Sequence, residues 1–356
     1  LITSFLTKTH FLGDIMSNNR KGLRIFAVVL LSTTFLLGGC TKQIFRMTAG
    51  ITERFAEDYM LPYMMTTTDL RMSCAMAESM TPIMMTMKQF NPGLEKVTIL
   101  SMISASLCSQ EVAFEKELEY QRALYTRDNT GAQDARIAMK RHYKITAERQ
   151  YAAYKRMVKF YGEPGGKECP RLLDDVEQMN YLVGLLAGLQ AIYSDTQATS
   201  GLVPRNIAAK VERAAACLDT EKWFGVPLAI RATIWTLLPG ALPEGEDNWA
   251  RLDEADKIGE TSKIRLAHVF HALAAHSKGD KTRVREIIKK HAEIIKNVPS
   301  DREYRQLDAM ATSQLKAVSD LMWTEAKGHR TPVGKFGKFW DERAKASNAI
   351  DLDDIL

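Results

Sequence analysis

Between Ile44 and Lys327 apolar residues recur at helical spacing, and each interruption is a short cluster of Pro, Gly, Asn, Asp or Ser. No series of short alternating strands bounded by turns occurs, so the pattern restricts the chain to an all-α fold. Pro62 is expected to close a first amphipathic segment from Ile44 to Met60, because the residue before a proline avoids the helical conformation. Residues 63–90 resume as helix up to Asn91-Pro92-Gly93, residues 94–126 form a long helix ending near Asp128-Asn129-Thr130-Gly131, and residues 132–161 form another. Gly162-Glu163-Pro164-Gly165-Gly166 reads as a hinge. Pro170 is expected to open a helix reaching residue 195, in which Gly184 and Gly188 stand four apart and let a second helix approach closely. Beyond Pro204 the helices shorten, at 205–218, 226–238, 248–258, 262–277, 280–296 and 301–327, with brief connections that make neighbours antiparallel. Stacked antiparallel hairpins of this size suggest a tetratricopeptide-like array.

Compartment is written further upstream. Arg20, Lys21 and Arg24 precede an apolar run from Phe26 to Leu37, and Gly38-Gly39-Cys40 follows. Basic n-region, apolar h-region and small residues at the cut are the order of an export signal. The cysteine after two glycines resembles the lipobox of bacterial lipoproteins, which implies cleavage before Cys40 and acyl chains such as palmitate on its sulfur and amine. A membrane-crossing anchor is the alternative, but the run falls short of the roughly 20 residues needed to span a bilayer. Residues 1–15 precede Met16, which would begin a signal of ordinary length, and are read as a mis-assigned start. Thr41 is not the aspartate that retains lipoproteins in the inner membrane, so the resemblance implies a lipid anchor in the outer membrane, facing the periplasm. The expected organisation is a removed segment 1–39, an N-terminal helical region 40–161, a helical-repeat region 162–327 and a polar tail 328–356 that is mobile or ordered by a partner.

Removing residues 1–39, with four basic residues and one acidic, takes the formal charge from +5 to +2. A near-neutral body does not suit nucleic acid. Cys74, Cys108, Cys169 and Cys217 are an even set in an oxidising space, which permits three pairings. Cys74–Cys108 and Cys169–Cys217 are the most local, and free buried thiols are the alternative. No two cysteines are spaced as CxxC.

Ten of the 17 methionines fall between Met47 and Met87, and Met72, Met76, Met80 and Met84 recur every four residues. Thioethers are soft enough to bind Cu(I). No histidine accompanies the stripe, so an apolar groove or core surface is preferred. His268, His271 and His276 sit on one helix without the acidic residue of an HExxH motif, and are read as satisfied histidines. Asp174, Asp175 and Glu177 suit the first turn of a helix, and Glu244-Gly245-Glu246-Asp247 is read as a solvated acidic loop. There is no GxSxG elbow, P-loop or dinucleotide fingerprint, so no enzymatic activity, metal or cofactor is expected. All five tryptophans lie in the second half, where Trp223 and Phe224 are read as gap-filling rings or the rim of a ligand cavity.

Several segments share one family pattern: Leu61-Pro62-Tyr63, Tyr120 to Tyr125, Arg141-His142-Tyr143, the small-residue helix from Gly184 to Ala191, Glu212 to Asp219, and Leu237-Leu238-Pro239-Gly240. With the lipobox they resemble the T component of TRAP transporters, although Tyr181 and leucines stand where that family has a tryptophan-rich central helix. The resemblance implies a periplasmic lipoprotein of tetratricopeptide-like hairpins that binds a solute-binding protein. It also implies a small hydrophobic or organic-acid ligand, in a cavity formed here by Tyr181, Gly184, Gly188, Trp223 and Phe224. Self-association is left open. The rival expectations are an envelope scaffold without ligand and a copper-handling lipoprotein using the methionines.

Overall fold

A computed structural model describes residues 41–342, so the signal segment, Cys40 and residues 343–356 lie outside the described residues. The described chain is all-helical, with no strand among the described residues. We number the helices α1 (residues 41–66), α2 (Leu70–Met87), α3 (Gly93–Tyr125), α4 (Asn129–Tyr161), α5 (Asp175–Ala198), α6 (Ile207–Ala215), α7 (Val226–Leu237), α8 (Asn248–Thr261), α9 (Ala267–Ser277), α10 (Lys281–Asn297) and α11 (Arg305–Lys327).

Aspartate caps set many of the boundaries. Asp69, Asp128, Asp174, Asp247 and Asp280 each accept a hydrogen bond from a backbone N–H in the first turn of α2, α4, α5, α8 and α10, satisfying donors that have no partner within the helix. Glu177 adds to the α5 cap by accepting from the N–H of Leu173, the residue before the cap, at 2.9 Å. Pro170 therefore lies in the approach to α5 and does not open it.

Pro62 does not end α1 either. A π-helical turn over Ala56–Met60 accommodates it, since the wider turn tolerates the missing N–H and the ring. The break falls instead at residues 67–69, where Asp69 caps α2.

α2, α3, α4 and α5 pack in sequence, with α3 the apolar centre. α3 is long and apolar enough to cross a membrane, yet its most apolar window is 67% buried in the protein. The α4–α5 contact is close because Gly184 faces Met157 and Gly188 faces Tyr154 and Ile207. A Cβ at Gly188 would lie 2.6 Å from the Tyr154 ring. One apolar cluster runs from Ala49 to Ala311, so the core does not divide at residue 162. Gly162 to Gly166 is not a free hinge: Arg213 Nε donates to the Gly165 carbonyl at 2.9 Å, Lys210 pairs with Glu163 at 3.0 Å, and Pro164 is buried.

α6 to α10 are shorter and pack as neighbours, with α7 also against α9. α11 then returns to α3 and to the end of α1, and Gln306 Nε2 donates to Ser73 Oγ inside the core. After α11 the chain keeps packing, in place of a mobile tail, as far as it is described. Phe339 is buried, Trp323 Nε1 donates to the Lys338 carbonyl at 3.2 Å, and Arg285 grips Asp341 with two bonds of 2.8 and 3.0 Å.

Candidate functional site

An open groove of about 700 Å³ lies between α2 and α3, floored by the Cys74–Cys108 disulfide. Met72 and Val112 give it apolar walls, and Glu78, Glu111 and Glu115 give it an acidic rim. Each rim carboxylate has a cation: Arg149 for Glu78, Arg71 for Glu111 and Arg330 for Glu115. Met72 is 56% exposed here, but Met76 and Met80 are half-buried against the main core and Met84 is fully buried. The four methionines therefore share no continuous groove: a four-residue step on a 3.6-residue helix turns each successive side chain by about 40°.

The five residues expected around a cavity are packed against one another's neighbours. Tyr181 is buried edge-on to Tyr161, Gly184 and Gly188 are filled from α4, and Trp223 and Phe224 pack with each other and with Tyr304. Trp223 Nε1 donates to Gln178 Oε1 at 3.0 Å. On the facing helices α4 and α5, however, Gln150 Nε2, Tyr154 Oη and Gln190 Oε1 are buried without a hydrogen-bond partner. Burial pushes the Tyr181 hydroxyl up to about 12 and the Tyr154 and Tyr161 hydroxyls higher still, so all three are neutral donors. The structure joins Cys74 to Cys108 and Cys169 to Cys217.

A buried polar network, unmarked by any motif, joins α8 to α11. Arg265 and Asp308 are both buried and paired, and Asp308 also accepts from the Arg265 backbone N–H at 2.8 Å and Ser300 Oγ at 2.6 Å. Thr312 Oγ1 donates to the Asp308 carbonyl at 3.0 Å, so it accepts from His291 Nε2 at 3.0 Å. His291 Nδ1 then accepts from His268 Nδ1 at 3.1 Å, and His268 Nε2 faces Glu260 at 3.0 Å. Burial raises Glu260, but His268 and Lys290 outweigh it and hold the carboxyl below its ordinary range. Burial, with His268 and Arg265 adding to it and Asp308 opposing, lowers His291 to about 3.

That shift fixes a pH dependence. The unfolded chain protonates His291 near 6.5 and the folded chain near 3, so the unfolded state binds the extra proton throughout that interval. Stability is expected to be unaffected by this group above pH 6.5 and to fall as pH drops toward 3, by about 2 kcal/mol at pH 5. His291→Gln should flatten the pH 5–7 slope of the urea midpoint. An unchanged slope would show that His291 is not its source.

His271 Nδ1 pairs with Asp256 Oδ2 at 2.8 Å, and Asp253, Asp256 and His271 bring one donor atom each within 4.8 Å of one another. Asp256 Oδ1 is buried and unpaired. These are the ligands a cation would use, but Arg283 Nη1 lies 3.3 Å from His271 Nε2 and stacks on Trp249, placing a fixed positive charge beside them. His276 is exposed. Asp247 caps α8 and Glu246 pairs with Arg251 at 2.7 Å, so the acidic loop serves structure. No family model, no curated protein and no solved structure matches this chain.

Proposed function

We propose that this chain is an envelope lipoprotein, acylated at Cys40, whose helical body is a binding module facing the periplasm. The observation that carries the reading is the junction: the chain is helical from residue 41, the first described, which follows Cys40 in sequence, and from Ala49 onward the inner face of α1 is part of the body. Ala49, Ala56, Met60 and Met64 are buried, and Glu53 accepts from Asn91 Nδ2 at 2.6 Å. A lipid on Cys40 would hold the body to the membrane through the first turns of α1. Two disulfides suit an oxidising compartment.

The finer reading is an accessory to a TRAP-type uptake system that docks its solute-binding protein. The consecutive short helices from α6 to α10, with α7 against α9, support a tetratricopeptide-like stack. The unpaired polar atoms between α4 and α5 support a small polar-headed ligand or ordered water there. Pull-down from a periplasmic extract with non-acylated, disulfide-bonded protein is expected to recover a solute-binding protein. Recovery of none, from an extract shown to contain one, would remove the transporter reading.

A further inference from the structure

From Ile44 to Tyr59 the outer face of α1 carries large apolar side chains that stand exposed to solvent. Ile44, Met47, Ile51 and Phe55 recur at spacings of three, four and four, which puts them on one side of the helix. Tyr59 continues the stripe, stacked on Phe55 with ring centroids 6.1 Å apart. All five are between 47% and 67% exposed, whereas Ala49, Ala56 and Met60 on the other side are buried. From Ile44 to Tyr59 the stripe runs about 22 Å at 1.5 Å per residue. Isolated exposed apolar side chains are ordinary, but a contiguous helical stripe marks a contact surface.

The position of the stripe selects its occupant. Cys40 precedes the first described residue of α1 in sequence, Ile44 begins the stripe four residues further on, and Lys42 and Arg46 are exposed beside it. A helix with bulky apolar residues on one side, phenylalanine and tyrosine among them, and cations near its lipid-proximal end has the composition of an interfacial helix. We propose that the outer face of α1 lies in the headgroup region of the bilayer that holds the Cys40 lipid, making α1 a second, non-covalent membrane contact. This rests on the lipid-anchor reading for its choice of membrane but not for its binding energy. The acyl chains fix one end, and the stripe orients the body, with the α2–α3 groove carried at a set angle to the membrane.

The test uses residues 41–356 exported behind a cleavable signal, which retain every described contact and both disulfides. Wild-type protein is expected to co-sediment with vesicles of phosphatidylethanolamine and phosphatidylglycerol without acylation. Ile51→Glu/Phe55→Glu should lower the partition at least tenfold with an unchanged circular dichroism spectrum and melting temperature, since both side chains are solvent-exposed. In a second measurement, the emission of Phe55→Trp, less that of wild type, should shift to the blue with vesicles and be quenched by brominated lipid. Equal sedimentation of wild type and the double variant, or no vesicle-dependent emission change, would overturn the proposal. So would a vesicle-free dimer that the double variant abolishes, since a second copy would then own the face. The mass of Cys40 in the exported full chain separates the two readings. An unacylated cysteine with vesicle binding intact sinks the tether alone, and an acylated one without binding sinks the interfacial helix alone.

Discussion

Replacing Asp308 with alanine is expected to destabilise the protein by about 3–5 kcal/mol, because it leaves a buried guanidinium without its counter-charge. Arg265 is fully buried, and its Nε donates to Asp308 Oδ1 at 2.8 Å. The remaining acceptors, the Val298 carbonyl at 2.8 Å and Ser300 Oγ at 3.2 Å, supply hydrogen bonds but no negative charge. Asp308 also holds the Arg265 backbone N–H at 2.8 Å and thereby the junction between α8 and α9. The loss therefore reaches three elements. Two controls separate charge from packing. Ser300→Ala removes one bond to the carboxylate and should cost about 1 kcal/mol. Arg265→Met/Asp308→Leu removes both charges and should recover much of the single-variant loss. Urea midpoints give all three values. A single Asp308→Ala variant within 1 kcal/mol of wild type, or a double variant worse than the single, would show that the pair is not the clamp of this region.

How much of this was legible in the sequence depended on the range of each contact. The helices were legible because their signals are local, apolar residues at helical spacing between short clusters of turn residues. The all-helical class followed from that. Position 62 misled because a π-helical turn absorbs the proline, and nothing in the local sequence distinguishes absorption from termination. The methionine stripe misled for a geometric reason. Its four-residue step drifts around the helix, so Met72 ends in solvent and Met84 in the core. The tail's polarity hid Phe336, which packs edge-on to His291, and Phe339 and Trp340, whose rings find Arg285 and Trp323 on earlier helices. The polar network was invisible for the same reason. His268 was noticed beside His271, but its partner His291 is 23 residues away on another helix, and Asp308 is 43 residues from Arg265. No periodicity announces a contact that only α9, α10 and α11 together create.

Breaking the Cys169–Cys217 disulfide is expected to cost about 4 kcal/mol, the loop-closure value for a 48-residue separation. The native contacts give it little else to lose. Cys169 is exposed and Cys217 half-buried, and the segment between α4 and α5 is also held by Arg213 on the Gly165 carbonyl and Lys210 on Glu163. The stabilisation therefore acts on the unfolded chain, and Cys169→Ser/Cys217→Ser should leave the circular dichroism spectrum unchanged while lowering the urea midpoint. Cys74–Cys108 differs in kind. Its 34-residue loop predicts a similar entropic value, but Cys74 is buried against α3, so serine there adds a packing and desolvation penalty. Exposure also orders their chemistry: limited reductant followed by alkylation should label Cys169 and Cys217 before Cys74 and Cys108. The bridges close loops with no shared residue, so the two double variants should combine additively to within about half a kcal/mol. Protein made in a reducing compartment should then resemble the quadruple variant. If reduced and oxidised protein unfold at the same urea concentration, neither bridge stabilises the fold, and the support they lend to an oxidising location falls with them.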